Sequence, residues 1–369
     1  MKRPCGSGAR VASLLGAAIA AGAATSANAQ STVSISGLFN TAVVHRDLRV
    51  QSQPDVRSTK LDSTESKLIF RGTEDLGGGL SARFMMAGGF RVDTGAGSFC
   101  SGDCWVGLTG AFGSIRLGHT LPIYDDVSLP WYFVEAAGNH NPASLWANCG
   151  NKAGMADGCV DNYLSKTVRY DSPRFDGFSG SVSTSDPSGD LAGPPRRARV
   201  NAAGVEYRSG PWYVGAAHQR QYSLRSVDSF DAATTLSFWF KSWLTVGVGI
   251  ENLRYSVPGG GSLERTYGGL LVHQTTGPHT LWLNIGLAGN GYGDAAEGSS
   301  VNAISKGHEC GARMWTIGYR YRLSKSMQAY AYWNEIVNDR NGRYSFDAPP
   351  AGGPGWRISA LAVGMSKRF

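Results

Sequence analysis

The chain has 369 residues, among them 50 glycine, 15 tyrosine and 10 tryptophan, and a formal net charge of +7. This positive excess is small and forms no run of lysine or arginine, so the composition does not point to a nucleic-acid partner. Glycine and aromatic residues are abundant in large β-proteins of several kinds, so composition alone does not choose among them.

Residues 1–29 have the features of an export signal. A basic start and an apolar stretch over 11–24 are followed by an A-x-A cleavage site at 27–29, which would leave Gln30 as the first residue. The apolar stretch is about 14 residues long, shorter than the roughly 20 that a spanning helix needs. We therefore predict a removed signal peptide at 1–29 and a single domain over 30–369.

Five cysteines would remain in an oxidising compartment, where thiols close in sequence tend to pair. Cys100 with Cys104, and Cys149 with Cys159, are the disulfide candidates. A zinc site would need four converging thiolates, and these pairs lie in separate loops, so we predict no metal site. Cys310 is left over as a buried, free or intermolecular thiol.

Outside the signal, no window holds 18 consecutive apolar residues. An exported chain that enters an outer membrane without such a helix must cross it as a closed barrel, because only closure satisfies every backbone group in lipid. The expected pattern is strands of about ten residues whose side chains alternate between lipid and water.

That alternation is clearest over 315–323, where Trp315, Ile317 and Tyr319 begin one face and Thr316 lies on the other. A period of two excludes an amphipathic helix. Similar alternation occurs at 33–39, 80–86, 244–250, 281–287 and in the final segment, 356–369, which ends on Phe369.

Turn residues divide the chain between these strands. Seven tight turns are predicted at 75–79, 110–113, 173–177, 209–211, 240–243, 275–278 and 323–326. Eight longer loops are predicted at 46–62, 93–103, 121–165, 187–199, 222–230, 256–264, 289–311 and 338–355. The fold class is therefore all-β: a sixteen-stranded antiparallel transmembrane β-barrel with short periplasmic turns and long extracellular loops.

A barrel of this size is too wide for its own side chains to fill, so its lumen should hold water. The longest loop, 121–165, would narrow the pore if it folded inward, with Trp131, Tyr132 and Phe133 against the wall. Its carboxylates would then give the constriction a negative side: Asp125, Asp126, Glu135, Asp157 and Asp161. The alternative is a cap outside the barrel.

Strand phase predicts a positive pore wall, because a charged side chain facing lipid at mid-bilayer would cost about 2–4 kcal/mol. On the same phase assignment, Glu206 and Glu251 also face the lumen and offset part of the positive charge of the wall. A wall of this kind favours anions weakly, through a screened preference over a few ångströms. The basic residues assigned to it are Lys67, Arg71, Arg83, Arg91, Arg116 and Arg169.

Several stretches resemble the trimeric general porins of betaproteobacterial type. The most specific is Phe-Arg-Gly-Thr-Glu-Asp-Leu-Gly-Gly-Gly-Leu at 70–80, and the others lie at 32–42, 90–95, 105–118, 168–180, 318–330 and 363–369. The resemblance implies a homotrimer in outer-membrane lipid and lipopolysaccharide, a third loop folded into the pore, and passive diffusion of ions and small hydrophilic solutes without a cofactor.

Two positions depart from that family pattern. Ala87 stands where glutamate is common, and His119 where arginine is common. We hypothesise that His119 lines the pore, in which case ion preference would change between about pH 5 and 8, where imidazole titrates. The four paired cysteines are also uncommon in the family and suggest stapled loops.

Three rival functions remain at this stage. An outer-membrane enzyme is disfavoured because the chain contains no G-x-S-x-G, H-E-x-x-H, Walker loop or G-x-G-x-x-G motif. A channel specific for sugars, phosphate or carboxylates would need an aromatic ladder or a basic cluster in the pore. A secreted β-lectin would lack a lipid-facing surface.

Overall fold

A computed structural model describes residues 31–50, 53–63, 65–128, 144–150, 157–191, 197–346 and 353–369. Sixteen antiparallel strands pair with their sequence neighbours. They are β1 (Thr32–Arg49), β2 (Val56–Asp62 and Lys67–Gly77), β3 (Leu80–Phe90), β4 (Cys104–Gly110), β5 (Gly113–Thr120), β6 (Leu164–Asp171), β7 (Phe178–Ser185), β8 (Arg199–Ser209), β9 (Trp212–Tyr222), β10 (Phe230–Lys241), β11 (Leu244–Ser256), β12 (Ser262–Thr276), β13 (His279–Ala288), β14 (Ala312–Arg322), β15 (Met327–Asn338) and β16 (Arg357–Arg368).

The barrel closes where the first strand meets the last. Residues 38–49 of β1 pair antiparallel with 357–368 of β16, and both pieces of β2 pair with the other edge of β1. Closure leaves the sheet without a free edge, so the backbone hydrogen bonds are made within it, as lipid demands. The predicted sixteen-stranded barrel is confirmed.

Side chains alternate between an apolar outer face and the lumen. On β16, Leu361 and Val363 are 51% and 61% exposed, whereas Ala362 between them is fully buried. On β14, Ile317 is exposed and Thr316 is buried toward the lumen. Small residues inside and large apolar residues outside are the arrangement predicted from the period of two.

All seven predicted tight turns join adjacent strands. The turn between β2 and β3 has three glycines with positive φ, Gly77 (84°), Gly78 (61°) and Gly79 (79°). Only glycine adopts this backbone repeatedly without a steric penalty, which accounts for the Gly-Gly-Gly sequence at the turn.

The predicted loop at 46–62 is wrong in its extent. β1 continues to Arg49 and β2 starts at Val56, so the connection covers only 50–55. The polar residues in this region pair across the two strands, as His45 does with Thr59. These paired residues are polar on the outer face of the sheet, so their polarity predicts a loop where the structure has two strands.

Few other elements are present in the described residues. A single α-helix, α1, spans Ile123–Ser128, a 3₁₀ turn spans Trp146–Asn148, and two-residue strands lie at Gly97–Ser98, Ser300–Val301 and Ile304–Ser305. In this part of the chain, no helix combines the length and apolarity needed to span a membrane. The buried apolar cluster lies inside the barrel, between the wall and the third loop.

Candidate functional site

The third loop connects β5 to β6 and is described at 121–128, 144–150 and 157–163. Its helix α1 packs against β8, β9 and β10, and Ile123, Tyr124 and Val127 are buried there. The wall makes room at Gly204, where an added Cβ would lie 2.8 Å from Ile123 Cγ1. The loop therefore enters the barrel, as predicted, and its described segments do not form an outside cap.

A fully buried ion pair ties the loop to the barrel wall at β11 and β12. Glu251 of β11 accepts hydrogen bonds from Arg265 Nη2 of β12 (2.6 Å), from the Ala147 backbone N–H (2.8 Å) and from the Tyr124 hydroxyl. Arg265 Nη1 also donates to the Leu145 carbonyl (2.5 Å). These contacts satisfy both charges away from water, which a buried pair requires.

The return limb of the loop is held by lumen-facing polar side chains. Gln219 Nε2 donates to the Val160 carbonyl (2.9 Å), and the Tyr255 hydroxyl donates to the Gly158 carbonyl (2.6 Å). Asn148 Nδ2 donates to the Val301 carbonyl in the loop after β13 (3.0 Å). The described ends of the loop are thus fixed at several points across the lumen.

Disulfides join Cys149 to Cys159 within the third loop and Cys100 to Cys104 at the start of β4. These are the two pairs named from the sequence. Cys310 is a free, buried thiol. Among the described residues, no group of three or more histidine, cysteine or acidic side chains could hold a metal ion.

The acidic residues of the loop do not all face water. Asp125 is hydrogen-bonded to Asp161, and burial, followed by the proximity of that second carboxyl, raises the pKa of Asp125 well above its usual range. Asp126 forms an ion pair with Arg169 of β6. The predicted negative constriction is therefore reduced at these positions. Glu135 lies outside the described residues, as do Trp131, Tyr132 and Phe133.

Three predicted basic residues line the open wall. Strand pairing places Lys67 and Arg71 opposite Leu38 and Ser34 of β1, on the lumen face, and Arg83 opposite Thr73. All three are exposed, and Arg71 Nη1 donates to Ser36 Oγ (3.3 Å). Within the described ranges, no carboxylate forms an ion pair with any of them.

Three other predicted wall residues are already paired. Arg169 is buried, and it donates to Asp171 Oδ1 (2.9 Å) and to the Leu121 carbonyl (2.7 Å), so it fixes the start of the third loop. Arg116 Nη2 contacts the same Asp171 (2.6 Å).

Arg91 lies beyond the end of β3 and pairs with Asp93 (2.6 Å) and Asp62 (3.1 Å). Asp62 also contacts Arg46 (2.9 Å) and Lys60 (3.5 Å). Arg91 therefore belongs to a charge network around a buried carboxylate near the extracellular end.

His119 differs from its predicted place. Strand pairing puts it opposite Cys104, on the same face as Leu117, which is 49% exposed on the outer surface. Its ring stacks on Tyr163 (centroids 5.6 Å apart). His119 thus does not join the lumen-facing row of Arg116, since alternate residues of a strand point to opposite faces. Ala87 is on the lumen face and buried, opposite Ile69.

Comparison with known proteins decides the family. A family model described as Gram-negative porin matches residues 16–341. The chain belongs to the Gram-negative porin family. It is therefore an outer-membrane porin, as the barrel and the inward third loop indicate.

Its relatives include the major outer membrane protein P.IA of Neisseria meningitidis serogroup C, 34% identical over 169 residues. That match covers 41% of this chain and 40% of the relative. Protein P.IB of serogroup B is 32% identical over 165 residues, covering 43% and 44%. The chain thus spans less than half the length of these relatives in the matched region.

Among solved structures, the anion-selective porin from Comamonas acidovorans superposes with a TM-score of 0.75 at 22% identity, covering 92% of this chain and 100% of that one. OmpF of Salmonella typhi, in complex with daunomycin, gives a TM-score of 0.62 at 11% identity, covering 91% and 97%. At these identities the similarity shows a common fold.

The Glu251–Arg265 anchor was not foreseen as a unit. Strand phase assigns Glu251 to the lumen, but no role is predicted for Arg265 from the sequence. A hairpin with a short turn at 257–261 brings these positions onto neighbouring strands. Glu251 is paired with Tyr267 and Arg265 with Leu253, so the two charges lie diagonally across the hairpin, and opposite charges on its two strands were the available signal.

Proposed function

We propose that the chain is a general diffusion porin with a weak anion preference. It would form a water-filled channel for passive transport of ions and small hydrophilic solutes. The observation that carries the proposal is the asymmetry of the lumen. The third loop is fixed against β8–β12, and the opposite wall, β2–β3, presents Lys67, Arg71 and Arg83 to the open space.

The balance of charges supports the anion preference. The three wall cations are exposed, whereas Asp126 is ion-paired and Asp125 shares its site with another carboxyl. Exposed charges act over about 8 Å at physiological ionic strength, so they bias ion traffic without excluding cations. A solved neighbour of the same fold is described as anion-selective.

The test is the reversal potential of the purified protein in a planar bilayer under a salt gradient. We expect an anion-favouring sign that moves toward neutrality when Lys67, Arg71 and Arg83 are all replaced by glutamine. The control replaces Arg199, Arg220 and Arg254, which face outward on β8, β9 and β11, and should leave the potential unchanged.

A cation-favouring potential in the unmodified protein would contradict the anion preference. Absence of conductance would contradict the diffusion channel itself. Saturable block of the current by a single sugar or carboxylate would favour the alternative, a substrate-specific channel.

We further propose a homotrimer whose subunits meet along the seam of β1, β15 and β16. A cluster of charges faces outward there: Asp47 and Arg49 (3.0 Å apart) and the pair Glu335 and Arg357. Charges on the lipid side of a barrel are unfavourable, so contact with another subunit would stabilise this cluster, whose arginines Arg49 and Arg357 are exposed. A solved neighbour of similar fold, OmpT of Vibrio cholerae, is described in a trimer form.

Two further parts of the proposal concern the surroundings. The remaining apolar outer wall would contact membrane lipid and, at its extracellular end, lipopolysaccharide. Residues 1–29 would be removed as a signal peptide during export.

A further inference from the structure

Basic side chains converge at the periplasmic end of the lumen, far from the third loop. Arg320 and Arg322 lie on β14 with the same parity as the lumen-buried Thr316. Arg368 lies on the lumen face of β16, opposite Leu38 of β1. Lys325 is in the tight turn between β14 and β15. The four residues therefore meet on one side of the pore mouth.

These residues line a cavity of about 210 Å³ together with serine and threonine hydroxyls. Among the described residues, no aspartate or glutamate lines it. This composition distinguishes it from the other charge clusters of the barrel. The cations around Asp62, for example, surround a buried carboxylate that neutralises part of their charge.

Arg322 and Arg320 each donate a hydrogen bond to a neutral oxygen of the β12–β13 hairpin. Arg322 Nη2 donates to the Gly277 carbonyl (2.8 Å), and Arg320 Nη2 donates to Thr280 Oγ1 (3.3 Å). A guanidinium has five N–H donors in a fixed plane, so one group can contact several acceptors at once. Oriented donors of this kind match the paired oxygens of a phosphate.

We infer that this cavity is a binding site for phosphate and for small phosphorylated solutes at the periplasmic mouth of the pore. Four like charges gathered in one cavity repel each other, and a multivalent oxyanion relieves that repulsion while accepting hydrogen bonds from the arginines and hydroxyls. Chloride is a monatomic ion with a single charge, whereas phosphate has several oxygen atoms that each accept hydrogen bonds. The site should therefore prefer phosphate.

The position of the site gives it a role in transport. The proposed diffusion channel, on which this inference rests, leads a solute past the third loop before it reaches the periplasmic mouth. A phosphate site at the mouth would concentrate phosphorylated anions on the periplasmic side of the constriction. It would also make the channel respond differently to phosphate applied from its two sides.

The experiment measures chloride current through single channels while inorganic phosphate is added to one chamber and then to the other. We expect saturable block from one side only. Replacing Arg320, Arg322, Lys325 and Arg368 by glutamine should raise the half-blocking phosphate concentration by at least about tenfold, because several charge-assisted hydrogen bonds are lost together. Lys325→Gln alone, in an exposed turn, should raise it by a smaller factor.

The matched control is the Arg199→Gln, Arg220→Gln, Arg254→Gln variant, which removes three outward-facing charges and leaves the lumen and the mouth intact. It should retain the one-sided block. Equal block from both sides, or the same half-blocking concentration in the variant lacking all four charges, would overturn the site.

A second measurement separates this inference from the proposed channel. Equilibrium dialysis of the detergent-purified protein against radioactive inorganic phosphate reports binding without any current. Saturable binding that disappears in the fourfold variant would support the site even in a protein that did not conduct. Absence of saturable binding to the unmodified protein would refute it.

Discussion

At the scale of single residues, the Glu251–Arg265 pair anchors the third loop to the barrel wall. Both side chains are fully buried, and together they contact Tyr124, Leu145 and Ala147 of the loop. Removing one partner of a buried pair strands the other charge in the protein interior, whereas exposed pairs contribute little. The two cases can be compared on one hairpin, because Arg254 of the same pair of strands contacts Glu264 at the outer surface (3.6 Å).

We predict that Arg265→Met destabilises the loop by about 3–5 kcal/mol, since Glu251 would remain buried without its cation. The channel should become noisier and more conductive, and the folded barrel should denature at a lower temperature. Single-channel recording and heat-dependent gel mobility measure these effects. Arg254→Met is the control, with an expected cost below about 1 kcal/mol. Equal behaviour of the two variants would contradict the anchoring role.

The acidic pair inside the third loop predicts a pH response. Burial and the neighbouring Asp161 raise the pKa of Asp125, although Arg169 opposes the shift. The packed loop therefore holds a proton that a free carboxyl loses above about pH 4. The stability that the pair contributes is present at low pH and is lost as the pH rises through the raised pKa of Asp125.

We therefore expect current fluctuations to increase from about pH 5 to about pH 9 in the unmodified protein, because ionisation of both carboxyls drives them apart. Asp125→Asn keeps a hydrogen-bonding group and removes the titration, so its fluctuations should be the same at both pH values. Asp157→Asn, at an exposed position of the same loop, should retain the response. A pH-independent unmodified channel would exclude this role.

At the scale of elements, the disulfide between Cys149 and Cys159 closes the middle of the third loop. The cross-link limits the conformations of the segment beside the Glu251 anchor. The second disulfide, Cys100–Cys104, lies at the start of β4 and does not cross the lumen. The two bonds should therefore differ in their effect on the pore.

Thiol titration of the unfolded exported protein should detect one free cysteine, Cys310, before reduction and all of its cysteines afterwards. Replacing Cys149 and Cys159 by serine should increase current noise, because the loop loses its cross-link. The matched variant, with serine at Cys100 and Cys104, should show the same current noise as the unmodified protein. Complete thiol reactivity without reductant would show that the bonds do not form.

The sequence predicted the elements of the barrel better than their contacts. Strands and tight turns are local features, so the period of two and the turn residues located them. The contact between Ala147 and Glu251 joins residues 104 positions apart, and no local pattern reports such a meeting. Strand phase placed Arg169 inside the barrel, but only the fold brings Asp126 to it. His119 was assigned by resemblance, and strand pairing places it outward.

At the scale of the whole molecule, charge is distributed unequally around and along the barrel. Inside, basic residues follow the wall from Arg83 and Lys67 to Arg368 at the periplasmic mouth, opposite the packed third loop. Outside, most of the wall is apolar, and charges of both signs face outward on the seam of β1, β15 and β16 and on the β11–β12 hairpin. An isolated barrel would expose the charges of this seam to lipid, and contact between subunits in the proposed trimer would cover them.

Two substitutions distinguish a seam between subunits from an ordinary lipid-facing wall. Leu361 on β16 and Ile250 on β11 are similarly exposed, at 51% and 57%, on different sides of the barrel. We expect Leu361→Arg to yield folded monomers, because the added charge opposes subunit packing. Ile250→Arg should destabilise the folded barrel by about 2–4 kcal/mol near mid-bilayer and so lower the folding yield. The fraction that folds should stay trimeric. Light scattering in detergent gives the mass of each species. Intact trimers of the Leu361 variant, together with monomers of the Ile250 variant, would move the subunit contact to the opposite wall.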